Sequence, residues 1–100
     1  MTNEIMTEEF KYFTDLQSET LLKKNKDYAS QDSLSNFKTV ASILNTSPEM
    51  VAATLIGVKL ARLGVLLNSG KGPENESIMD SVLDMANYAF LLHCCLSDKL

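Results

Sequence analysis

From Pro48 to Asn68 the sequence is apolar nearly all round a helix, with Lys59 and Arg62 as the charges of its middle, and both ends are marked. Ser47 is a natural N-cap, Pro48 fits the first helical position and Glu49 complements the helix dipole. At the far end, Ser69-Gly70 supplies a glycine able to take left-handed C-cap geometry. A helix of this composition must be covered on several sides. A membrane span is the competing reading, but the run is marginal in length, and charges near a bilayer centre are expensive. Ala53, Gly57, Ala61 and Gly64 recur at steps of three and four, leaving a face almost without side chains that another helix can approach closely.

The remaining segments follow the same periodicity. From Thr7 to Asn25, Phe10, Phe13, Leu16 or Gln17, Thr20 and Leu21 fall on one face with charges between them, and Thr7 before Glu8 and Glu9 suits an N-cap. Residues Lys26 to Ser35 lose the pattern and read as a loop. Asn36 to Leu44 is a short helix with Phe37, Val40, Ala41 and Leu44 on one face, stopped at Asn45. Glu74 to Leu96 is the last, with Ile78, Val82, Leu83, Ala86, Ala89, Phe90 and Cys94 available for a core. No strand pattern occurs. The chain therefore reads as one all-α domain over residues 1–100, a four-helix up-and-down bundle. Its core is thin, because a chain of 100 residues buries roughly 60 to 68% of its unfolded surface. Four helices of these lengths cannot cover the apolar third one, so the reading includes a homo-oligomer, at least a dimer.

Composition excludes several function classes. With 13 acidic and 9 basic residues the net charge is -4, so nothing chain-wide attracts a nucleic-acid polymer, and a nucleotide would have to be captured locally. Met1-Thr2-Asn3-Glu4-Ile5-Met6 lacks the basic and apolar regions of a secretory signal, which points to the cytoplasm, with no membrane partner. Cys94 and Cys95 are adjacent, poorly placed to bridge each other, and read as buried small apolar residues. His93 near a helix C-terminus has no nucleophile placed with it.

Polar residues inside apolar stretches carry the functional signal. Glu76, Asp80, Asp84 and Asn87 stand on one stripe of the last helix. An antiparallel hairpin turning near Lys71 and Gly72 sets Arg62 opposite Asp80 and Lys59 opposite Asp84. Two readings of this seam stand: partly buried salt bridges with no function, or a polar site whose cations hold phosphates and whose carboxylates Glu76, Asp80 and Asp84 hold Mg²⁺ or a ribose hydroxyl. A second cluster lies at Asn25, Asp27 and Tyr28, with Asn36 following. Tyr28 offers a stacking surface, and the other three suit the hydrogen bonds of a base or sugar; the alternative is a solvated helix end.

Three elements occur together and in order: Lys24-Asn25-Lys26-Asp27-Tyr28, Lys59-Leu60-Ala61-Arg62-Leu63, and Asp80-Ser81-Val82-Leu83-Asp84-Met85-Ala86-Asn87-Tyr88. The set resembles the nucleotide modification associated domain of bacteriophages, itself similar to the MazG-like all-α nucleotide pyrophosphatases, over roughly Leu21 to Leu92. The resemblance implies a helical, usually oligomeric fold, a nucleotide ligand and a phage-encoded protein acting in the host cytoplasm. It also adds Lys24 and Tyr88 to the ligand set. One departure stands out. MazG-like enzymes hold Mg²⁺ between two paired acidic motifs on separate helices, whereas here only the later motif is matched, by Asp84 and Asn87 with Asp80 one turn before. The middle helix has Lys59 and Arg62 instead.

The leading reading is therefore a small protein that binds a phosphate-bearing nucleotide without hydrolysing it and requires no cofactor, an anti-defence sponge for a host immune signalling nucleotide. The alternatives are a Mg²⁺-dependent pyrophosphatase or nucleotide-modification accessory protein, and a helical protein-interaction module.

Overall fold

The computed structural model describes residues 1–27, 32–70 and 76–98, the side chains of residues 24–27, 76 and 77 apart. It contains four helices, α1 (Asn3–Asp27), α2 (Ser35–Leu44), α3 (Pro48–Asn68) and α4 (Glu76–Ser97), and no strand among the described residues. The all-α expectation holds.

Most of the helix boundaries follow local chemistry. The Ser47 hydroxyl accepts from the Met50 N–H at 3.3 Å, with Pro48 in the first turn of α3. Asn45 takes left-handed geometry (φ 56°, ψ 49°) at the end of α2, where the Asn45 and Thr46 N–H groups donate to the Ser42 and Ala41 carbonyls. Those two bonds form the Schellman arrangement, and asparagine tolerates the left-handed backbone better than most residues. Gly70 has φ +80°, as its C-cap role requires. Before α2, the Leu34 N–H donates to Asp32 Oδ1 at 2.9 Å, a turn that leads the chain into the helix.

The start of α1 differs from the expectation. Thr7 is not its N-cap: the helix begins at Asn3, where the Thr2 hydroxyl accepts from the Ile5 N–H at 3.2 Å. Nothing in Asn3-Glu4-Ile5-Met6 breaks a helix, and Thr7, now interior, donates its hydroxyl to the Asn3 carbonyl at 2.8 Å. The other end of α1 runs on to Asp27, so Lys26 and Asp27 are helical and not part of the loop.

Tertiary contacts join α3 to α4, α2 to α3, and α1 lightly to α4. The α3–α4 pair is antiparallel: near one end Glu49 stands beside Cys95, and further along Lys59 bonds Asp84. These pairings make an open arrangement in place of a closed ring of four helices. Every residue from Met1 to Tyr12 is exposed. The radius of gyration is 15.5 Å, against about 13 Å for a compact chain of this length. The accessible surface is 7369 Å², where a closed monomer of this size leaves about 5,700 Å².

The core is small: Leu34, Ala41, Val51, Ala52, Ile78 and Cys95, with Ser81 and Asn87 buried among the polar residues. The expected core face of α4 is rotated. Ile78 is buried, but Leu83, Ala86 and Cys94 are half-buried, and Val82, Ala89 and Phe90 are exposed. Asp84 meets Lys59 of α3, and Ser81 and Asn87, three residues to either side of it, are buried. Helix α3 is likewise uncovered over much of its circumference, with Val58, Leu60, Val65 and Leu67 exposed. Its small-residue face is not where α4 packs: a Cβ at Gly57 or Gly64 would meet nothing within 4 Å. By length and composition alone α3 could cross a membrane, its best window having a mean hydropathy of 1.9 with 6% buried inside the chain.

Candidate functional site

The α3–α4 hairpin brings the third-helix cations and fourth-helix carboxylates to one side. Lys59 Nζ lies 2.9 Å from Asp84 Oδ2, and both side chains are about one-third exposed (28% and 35%). This is a charge-assisted bond at ordinary length, in an environment between bulk water and interior. Arg62 follows on the next turn of α3 and Asp80 precedes Asp84 by one turn of α4. Both are exposed, and no ion pair links them. The second expected pairing is therefore not made, which leaves the Arg62 guanidinium fork open to solvent and able to take two parallel hydrogen bonds from an anion's oxygens.

Asn87, one turn beyond Asp84, is 4% exposed. Neither its Nδ2 nor its Oδ1 has a hydrogen-bond partner among the described residues. A buried amide left unsatisfied in this way costs about 1–3 kcal/mol. Tyr88 beside it is half-buried.

On the other flank of α4, Phe90 borders an open groove of about 360 Å³, lined from α1 by Thr14, Gln17, Ser18, Leu21 and Leu22. The ring of His93 stands 6.2 Å from that of Phe90. Sequence periodicity assigns Phe90 to the core and misses this groove, although Phe90 stands one turn after Asn87, a spacing that was there to be read.

Of the second expected cluster, only Asn36 is described with its side chain. The side chains of Lys24, Asn25 and Asp27, and all of Tyr28, lie outside the described residues, as does the side chain of Glu76. Asn36 is exposed in the first turn of α2. Lys38, two residues on, bonds Asp32 and lies 3.0 Å from Asp98 at the end of α4. Asp98 is about 21 Å along the axis from Asp84 at 1.5 Å per residue, so the start of α2 belongs to the opposite end of the hairpin from the Lys59–Asp84 pair.

At that opposite end the charges interlock. The hydrogen bond from Lys38, then that from the Leu34 N–H, holds the Asp32 carboxyl below the usual carboxylate range. Asp32 and then Asp98 raise Lys38 above the ordinary lysine value. Burial, followed by the nearby Glu49, pushes the Cys95 thiol up, which keeps it protonated and unreactive. Both cysteines are free: Cys95 is buried, as expected, while Cys94 is half-buried.

Compared with models of known protein families, with curated proteins and with solved structures, the chain matches none.

Proposed function

We propose that the chain binds a phosphate-bearing nucleotide beside Lys59 and Arg62 and releases it chemically unchanged, as an oligomer in the cytoplasm. The observation that carries this reading is the Lys59–Asp84 bond. It commits the central carboxylate of the acidic stripe to an ammonium group, and a carboxylate so committed is a poor Mg²⁺ ligand unless the lysine is displaced. It also fixes a cation one turn from the exposed Arg62 fork, so that a phosphate bound by Arg62 has a second positive charge close by. The bacteriophage resemblance extends the reading to sequestration of a host immune signalling nucleotide.

The test is chromatography of a nucleotide panel after incubation with the protein and Mg²⁺, before and after denaturation. Recovery of an intact compound from the protein fraction alone is the expected result. Arg62→Ala should weaken binding about tenfold or more, since charge-assisted bonds are worth roughly 1.5–3 kcal/mol, and Arg62→Lys should recover little because the fork is lost. Appearance of pyrophosphate and a nucleoside monophosphate, abolished by Asp80→Asn, would overturn the reading and make the protein a Mg²⁺-dependent pyrophosphatase. A second reading, a helical protein-interaction module with no small ligand, is favoured by the extent of exposed apolar surface. It would be preferred if no member of the panel is retained.

A further inference from the structure

Among the described residues of α4, Asn87 combines a buried amide with no partner and a place one turn before Phe90, which borders the groove. Along an α-helix, steps of three residues turn by about 60°. Phe90 faces α1 across the groove and Asp84 faces α3 through Lys59, so Asn87, three residues from each, lies midway between those two faces of α4. Its amide is enclosed there, with Oδ1 and Nδ2 both lacking partners among the described residues.

Resting on the nucleotide reading above, we infer that the wedge between α1 and α4 is the base subsite: the ring enters the groove beside Phe90, and Asn87 reads its edge. An asparagine amide offers a donor and an acceptor side by side. It therefore matches a planar heteroaromatic ring that presents an acceptor and a donor next to each other, as the purines and the pyrimidine amide edges do. Phe90, with nearly half its surface exposed (47%), supplies a stacking face of the kind that bases use on proteins. The groove has the size range of a small-ligand site and mixes leucines with Thr14, Gln17 and Ser18.

Both amide atoms are sealed, so the ring reaches them only if α1, the more lightly packed neighbour of α4, moves aside. The fold makes that shift inexpensive. Among the described elements α1 packs on α4 alone, and its residues up to Tyr12 are all exposed. The phosphates would then lie along α4 from the base, towards Lys59 and Arg62, with Asp84 and Asn87 between the two halves of the ligand.

The experiment is calorimetric titration of the full chain with ATP, GTP, CTP and UTP, and with inorganic tripolyphosphate as the baseless control. The wild type should bind at least one of the four more tightly than tripolyphosphate by about five- to 150-fold, the range of one two-point amide contact. Asn87→Leu should abolish that gap and raise the melting temperature, because the unsatisfied amide is gone. Phe90→Ser, at a half-exposed position that the fold tolerates, should narrow the same gap if Asn87→Leu fails to fold. A gap preserved in both variants overturns the subsite and assigns the amide to an enclosed water. Equal affinity of the wild type for all five compounds overturns the subsite while leaving phosphate binding intact. Binding of none overturns the subsite and the nucleotide reading together.

Discussion

Phe10 tests whether the chain is complete by itself. The protein exposes 7369 Å², about 1,700 Å² more than a closed monomer of its size. A standard interface takes about 800 Å² from each partner, so the excess corresponds to roughly two such patches per chain. Phe10 is 69% exposed on the part of α1 that nothing covers. Fully burying such a side chain is worth about 1.5–3 kcal/mol, of which about 1–2 kcal/mol remains to be gained in an assembly. A two-fold interface counts it twice, so Phe10→Asp should weaken dimerisation by about thirty- to seven-hundredfold. Sedimentation equilibrium of the wild type and the variant over a micromolar concentration series measures this directly. A wild type that is monomeric throughout, with an unfolding midpoint that does not move on dilution, would refute the argument. The exposed apolar surface would then belong to the chain alone.

Two further outcomes follow from the ion pairs. The Asp32–Lys38–Asp98 link should hold α2 to the end of α4 across the neutral range. Asp32 titrates below its ordinary value of 3.8, so its contribution is present above pH 3.8 and lost as pH falls through the lower folded value. Lys38 titrates above its ordinary 10.5, so its contribution is present below pH 10.5 and lost as pH rises beyond the folded value. The stability difference between the wild type and Lys38→Met, followed by urea unfolding, should thus be constant from pH 5 to 9 and vanish in strong acid; a difference that grows on acidification would contradict it. For the pair at the site, a double-mutant cycle with Lys59→Met and Asp84→Leu should give a coupling of about 0.5–1 kcal/mol, appropriate to partners one-third exposed. Zero coupling would mean that the Lys59 ammonium spends its time elsewhere.

What the sequence makes legible is what local chemistry decides. Ser47-Pro48, Asn45 and Gly70 can each be read as helix ends, because capping depends on a few neighbouring groups and on which residues accept left-handed backbone. The Lys59–Asp84 register is legible too, since a short hairpin connection leaves little freedom in how α3 and α4 align. Thr7 misleads because a good capping residue with acids behind it is equally at home inside a helix when Thr2 caps further upstream. The face of α4 misleads for a different reason. Counting apolar positions selects Val82, Ala89 and Phe90, but the buried face is chosen by two neighbours at once. Here Asp84 meets Lys59 of α3, and Ser81 and Asn87 on either side of it are buried. That choice is tertiary, and no window of sequence contains it.

The same rotation ties stability to ligand binding. At these positions hydrophobic burial alone favours covering Val82 and Phe90 and leaving Asn87 to water. The structure keeps the opposite arrangement, at the cost of a buried amide without partners and an aromatic ring in an open groove. The Lys59–Asp84 bond supplies part of what holds it there, but a pair one-third exposed is worth about 1 kcal/mol at most, no more than the lower end of the cost of one unsatisfied amide. A partner molecule that meets both Asn87 and Phe90 would remove the deficit at the positions where it is stored. A helix face that is better solvated by a ligand than by its own chain therefore locates the site more firmly than the charges do, since charges alone are equally at home in a structural salt bridge.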